Sequence, residues 1–216
     1  MVSEWIVGVA VSAIIGVAAA IIDALRERWG PQKLPQASCA QMSETDQAQI
    51  EATRELIRKC FGEDVVERLQ KASNKERIDL MARFAEELAR QYELDIEVDV
   101  TVSKVEECGA YNWKERKAVF NIALLMVDGK NEHFDYCVRE TLDTIVHELR
   151  HAVQHRAVEQ PGFWNVEESR RLAWAKNMTP GNYISPKANI RAYAAQPIEK
   201  DAVTFAAMVM GEVKAK

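Results

Sequence analysis

The stretch HELRHAVQH, residues 147–155, holds three of the chain's four histidines. His147 and His151 are spaced i and i+4. On a helix that places the two imidazoles one above the other on one face, ~6 Å apart, so that both can reach a single ion. Glu148 lies beside such an ion rather than on it, and in HExxH helices this glutamate takes a proton from the metal-bound water. His155 shares the face of the other two, but it is eight residues, or ~12 Å of helix, from His147, whereas zinc–imidazole bonds are ~2.0–2.1 Å long. One straight helix cannot bring all three onto one ion, so His155 is expected to be a solvated or capping residue. The other helical arrangement needs a third histidine ten residues after His147, and that position is Ala157.

No histidine follows His155, and His133 precedes the helix, so the remaining ligand is expected to be a carboxylate on another element. Glu199, in YAAQPIEKDAVTFAAMV, is the best candidate, with Asp201 and Glu167 as alternatives. It falls in the first turn of a helix long enough to pack antiparallel to the one bearing HELRH. A His2Glu set leaves a fourth position for water, the arrangement of a catalytic zinc site. Tyr193, six residues before Glu199, is a candidate donor to an oxyanion, against the alternative of a tyrosine that is simply packed. Cys108 and Cys137 flank the site in sequence and read as unliganded thiols.

HELRH followed by PIEKDAVTFA resembles the minigluzincins, compact zinc peptidases that include the ImmA/IrrE-type proteins. In that resemblance the downstream motif reads E-x-x-A-x-x-F-A, matched by Glu199, Ala202, Phe205 and Ala206, and the similarity covers residues 75–212. It implies a zincin-like active-site helix and one Zn2+ per chain on His147, His151 and Glu199. Glu148 would be general base in peptide-bond hydrolysis, and a peptide or protein substrate would lie along an edge strand, here KAVFNIALL. ImmA-type relatives imply a narrower version, a regulatory protease of a mobile element that cleaves one partner protein. Larger gluzincins carry an aspartate four residues after the ligand glutamate to orient a zinc histidine. This chain has Val203 there, leaving Asp143, one turn before His147, as a candidate substitute. The reading from a different class is a non-catalytic, membrane-anchored interaction protein that retains a metal site; the intact Glu148 argues against it.

The elements that must position these residues have an α+β order. SETDQAQIEATRELIRKCFG reads as a helix stopped by Gly62, and EDVVERLQKAS and KERIDLMARFAEELARQYEL continue the helical pattern, with Ile78, Met81, Phe84, Ala85 and Leu88 on one face. Ile96, Val98, Val100 and Val102 then alternate with polar residues, as in a half-buried strand. WKER between two β-prone runs predicts a hairpin, with Val119, Ile122 and Leu124 as strand residues. Together these predict a small antiparallel sheet packed on helices. A helix over about 136–157 follows, then an interruption at QPGFW, a helix in 165–178, a loop at TPGNYISP and a final helix from Pro197 to Val213.

Three regions are expected: an N-terminal apolar helix over 1–29, a linker over 30–42 and the zincin-like domain over 43–216. Residues Trp5 to Ile22 carry no charge, and a helix of that length is ~27 Å long against a hydrocarbon core of ~30 Å. Arg26, Arg28 and Lys33 after the run give the charge order of a membrane anchor with the catalytic domain in the cytoplasm. A signal peptide on a secreted protein and a buried helix of a soluble cytoplasmic protein are the alternatives. Gly8, Ser12, Gly16 and Ala20 form a small-residue face suited to a partner helix in lipid. The net charge of −5, without a basic run, argues against nucleic acid as a partner. Cys39, Cys60, Cys108 and Cys137 contain no CxxC pair and require no disulfide.

Overall fold

The helices begin and end where their local chemistry dictates. In the computed structural model, which describes residues 42–103 and 108–211, α1 spans Glu44–Phe61. Ser43 and Asp46 form a reciprocal capping box at its start, and Gly62, at φ 86°, closes it. Asp64 caps α2 (Val65–Lys71), and a second box, Ser73 with Glu76, caps α3 (Asn74–Gln91). The expected stripe of Met81, Phe84, Ala85 and Leu88 is buried in the main core, with Ile78 packed at its rim. Arg77 is buried alongside, its guanidinium donating to the carbonyls of Leu69, Leu125 and Val127.

Three strands follow, β1 (Glu97–Thr101), β2 (Gly109–Asn112) and β3 (Lys117–Asn121), in the order β1-β3-β2. The hairpin closes across 113–116 as expected, and β2 runs antiparallel to β3. β1, however, pairs parallel to β3, so the sheet is mixed rather than antiparallel. The chain crosses after β1 and returns as the far hairpin arm, which leaves β1 on the opposite side of β3 and pointing the same way. Ile122 and Leu124 are not strand residues either. β3 stops at Asn121, whose side-chain oxygen accepts from the backbone N–H groups of Ser103 and Ala123, and the chain turns into a 3-10 segment, Ala123–Met126.

Helix α4 (Phe134–Glu159) carries HELRH, and α5 (Glu168–Met178), the short α6 (Ile190–Ala195) and α7 (Pro197–Met210) complete the fold. QPGFW does break the chain, at a 3-10 turn over Phe163–Asn165 entered through Gly162 at φ 96°. α7 packs extensively on α4, burying Ala202, Phe205, Ala206 and Val209. Among the described residues no helix is long and apolar enough to cross a membrane. The apolar run, the linker up to residue 41, Cys39 and the Gly8/Ser12/Gly16/Ala20 face lie outside the described residues.

A buried ion network joins four of the helices. Arg150 on α4 is fully buried and bonds Asp46 of α1 at 2.8 Å and Asp201 of α7 at 2.8 Å. Arg170 of α5 reaches the same two carboxylates, at 2.6 Å for Asp46. Two cations and two anions therefore balance, and the Arg150 guanidinium stands 4.5 Å from the Phe205 ring centre and 5.6 Å from those of Trp164 and Trp174. Burial works against the charge on Asp46, but Arg150 and Arg170 overcome it and hold the carboxyl at about 2. Asp46→Asn, which keeps the capping oxygen and removes the charge, is expected to lower the unfolding free energy by about 3 kcal/mol at neutral pH, read by urea denaturation. Because the folded pKa is depressed, the loss is full above the ordinary value of 3.8 and shrinks as pH falls towards 2. Equal stability of parent and variant at pH 7 would show that the network contributes nothing.

Candidate metal centre

α4 and α7 bring together the residues that the sequence singles out. Nε2 of His147 and Nε2 of His151 are 3.0 Å apart, and Oε2 of Glu199 lies 3.6 Å from the first and 3.5 Å from the second. Bonds of ~2.0–2.1 Å in a tetrahedron separate ligand atoms by ~3.3–3.4 Å, close to this triangle. Among the described residues this is the one group of His, Cys, Asp or Glu side chains close enough to hold an ion.

The hydrogen bonds prepare the same atoms for a metal. Gln154 Nε2 donates to the Ile198 carbonyl at 2.9 Å and to Asp201 at 2.7 Å, so its Oε1 faces His151 Nδ1, at 2.8 Å. An amide oxygen only accepts. His151 therefore carries its proton on Nδ1 when neutral and turns the lone pair of Nε2 to the centre. Glu199 is 1% exposed, and its Oε2 has no hydrogen-bond partner. A buried carboxylate oxygen left unpaired between two imidazole nitrogens is a donor set that can hold a divalent cation.

Glu148 is held apart from this triangle. Its Oε2 accepts the backbone N–H of Tyr111 on β2 at 2.9 Å. A Cβ on Gly109, two residues earlier, would stand 2.6 Å from Thr144 Cγ2 and 3.3 Å from Glu148 Cγ, so only glycine lets β2 approach α4 this closely. β2 is also an edge strand of the sheet, as is β1. KAVFNIALL, expected to be the edge strand, contributes β3, which is paired on both sides. The alternation of side chains that reveals a strand says nothing about which strand ends the sheet.

The other candidates divide. Asp201 belongs to the ion network and Glu167 is exposed beside Ser169, so neither joins the centre. Asp143 is close enough for its charge to act on His147, yet among the described residues no hydrogen bond links the two. His155 is not solvated: it is 8% exposed, with Nδ1 3.3 Å from the Tyr111 hydroxyl and its ring against Trp113. The hairpin folds over it, a contact that helical spacing alone cannot foresee. Cys60, Cys108 and Cys137 are free thiols. Tyr193 on α6 does face Glu199, and burial followed by the charge of that carboxylate raises its pKa.

Sequence reasoning missed Tyr183 and Gln154. Tyr183 donates to Glu199 Oε1 at 3.2 Å from a loop whose composition gives no clue to its path. Gln154 could have been found, since it lies three residues after His151 on the same helix. Comparison with protein-family models, curated proteins and solved structures finds no match for this chain.

Burial of His151 opposes its charge, but Glu199, Glu148 and Gln154 outweigh it and raise the pKa to about 9. Glu199 is correspondingly held far below the usual carboxylate range, both histidines overcoming its burial. The proton on His151 thus stabilises the fold fully below the ordinary histidine value of 6.5, and that contribution is lost as pH rises through 9. Binding of a divalent cation at pH 7.5 is expected to displace about one proton from His151, measurable by calorimetry in buffers of different ionisation heat. Binding with no proton release at that pH would contradict the arrangement.

Proposed function

We propose that the protein is a compact zinc metallopeptidase that hydrolyses peptide bonds, with Glu148 as its general base. The observation that carries this reading is the convergence of two imidazole nitrogens and one unpaired carboxylate oxygen at tetrahedral spacing, with a second glutamate beside them and off the triangle. His147, His151 and Glu199 would hold the ion. Zinc so held would supply Lewis acidity and a water that is nucleophilic near neutral pH.

Glu148 keeps Oε2 on the Tyr111 N–H, which leaves Oε1 to take the proton of the attacking water and return it to the departing amine. The Tyr193 hydroxyl stands beside Glu199, where it can donate to the substrate oxygen as negative charge builds there. An extended peptide fits the edge of β2. Cys108 O accepts from Asn121 N, so in an alternating antiparallel ladder residues 108, 110 and 112 bond β3 while Gly109 and Tyr111 turn outward. The outward groups of β2 other than the Tyr111 N–H are available to a substrate main chain, giving affinity with little demand on its sequence. With residues 1–29 as an anchor, this domain would work at the cytoplasmic face of a membrane.

Glu148→Gln is expected to leave one zinc per chain in place and to lower cleavage of an unfolded protein such as reduced casein by about 10²- to 10⁴-fold. Glu199→Ala is expected to lose the zinc itself, measured by elemental analysis of the purified chain. Proteolysis by the Glu148→Gln variant at the parent's rate would refute the mechanism.

A further inference from the structure

The two oxygens of Glu199 are treated differently by the fold. Oε1 accepts the Tyr183 hydroxyl at 3.2 Å, whereas Oε2 has no partner and faces both histidines. A carboxylate with both oxygens free can meet a cation through one or both of them. One whose Oε1 already accepts a hydrogen bond meets it preferentially through Oε2.

Tyr183 is not fixed by burial, for it is 50% exposed. It is fixed by its neighbour in the chain. Gln196, 5% exposed and directly before α7, accepts from Ile184 N at 2.8 Å and donates to Ile184 O at 3.0 Å, as a paired strand would. Asn177, at the end of α5, donates to the same Gln196 oxygen at 3.2 Å. The Tyr193 ring meets Tyr183 edge to face with centroids 6.3 Å apart. The loop over 179–189 is therefore latched to the start of the helix that carries Glu199.

We propose that Tyr183 is a positioning residue that makes Glu199 a one-oxygen metal ligand, and that Gln196 is the latch that seats it. The inference rests on the metal centre described above. It couples that centre to a surface loop: displacement of residues 179–189 by a bound molecule releases Oε1 and changes how the ion is held.

The test uses the full chain. In competition with a chelator, Tyr183→Phe is expected to weaken zinc binding by about 10- to 100-fold, the usual effect of removing a partner that orients a ligand. Gln196→Ala is expected to weaken it in the same direction, because the loop is no longer tied. With cobalt(II) in place of zinc, Tyr183→Phe is expected to lose intensity in the visible bands. The freed carboxylate then binds through both oxygens, and five-coordinate cobalt absorbs less strongly than four-coordinate. Zinc affinity and cobalt spectrum both unchanged in Tyr183→Phe would overturn the proposal and leave the metal centre standing. A fall in affinity with an unchanged spectrum would also overturn it, since Tyr183 would then act on the loop and not on the ligand. A parent chain that binds neither metal would remove the centre itself.

Discussion

The structure depends on the register between α4 and α7, and the charges buried between them set it. Arg150 lies one residue before His151, and Asp201 lies two residues after Glu199. Joining Arg150 to Asp201 therefore fixes where Glu199 stands relative to the histidine pair. Apolar packing alone tolerates sliding by a helical turn, because one ridge of alanine, phenylalanine and valine resembles the next. A slipped register here would leave a buried guanidinium facing hydrocarbon, a penalty of several kcal/mol. Gln154 extends the constraint, since one amide contacts His151, Ile198 and Asp201 together.

The same network gives α1 a part in the site. Asp46 caps the start of α1 and neutralises Arg150 and Arg170. The charge balance behind the candidate metal centre closes only with a residue at 46, near the start of the described residues. On the other side of α4, Gly109 brings β2 within reach of Glu148. The candidate metal ligands and Glu148 thus depend on different neighbours, the histidine pair on Glu199 of α7 and Glu148 on the sheet edge.

Much of this was legible in the sequence where the governing interactions are local. The helix capped at Ser43 and stopped at Gly62 is legible because its cap and its end are satisfied within four residues, whereas the equally local caps Asp64 and Ser73 are found only in the structure. The i,i+4 spacing of His147 and His151 fixes their common face through helix geometry. Glu199 could be picked out by elimination and by its place in the first turn of a final helix. The alternation at 96–102 revealed a strand, but half-buried alternation looks the same in a parallel and an antiparallel pair, so the direction of β1 was misread. Ile122 and Leu124 continued an apolar run that the side chain of Asn121 had already ended.

By itself the sequence determined which residues could hold a metal, and the helical face on which two of them lie, because these follow from side-chain chemistry and a repeat of 3.6 residues. Tertiary structure alone decided that β2 rather than β3 borders the site, that His155 lies under the hairpin, and that Tyr183 reaches one oxygen of Glu199. Those outcomes depend on contacts between segments far apart in the chain. Such contacts are chosen by mutual burial and hydrogen-bond satisfaction, to which no short stretch of residues carries the key.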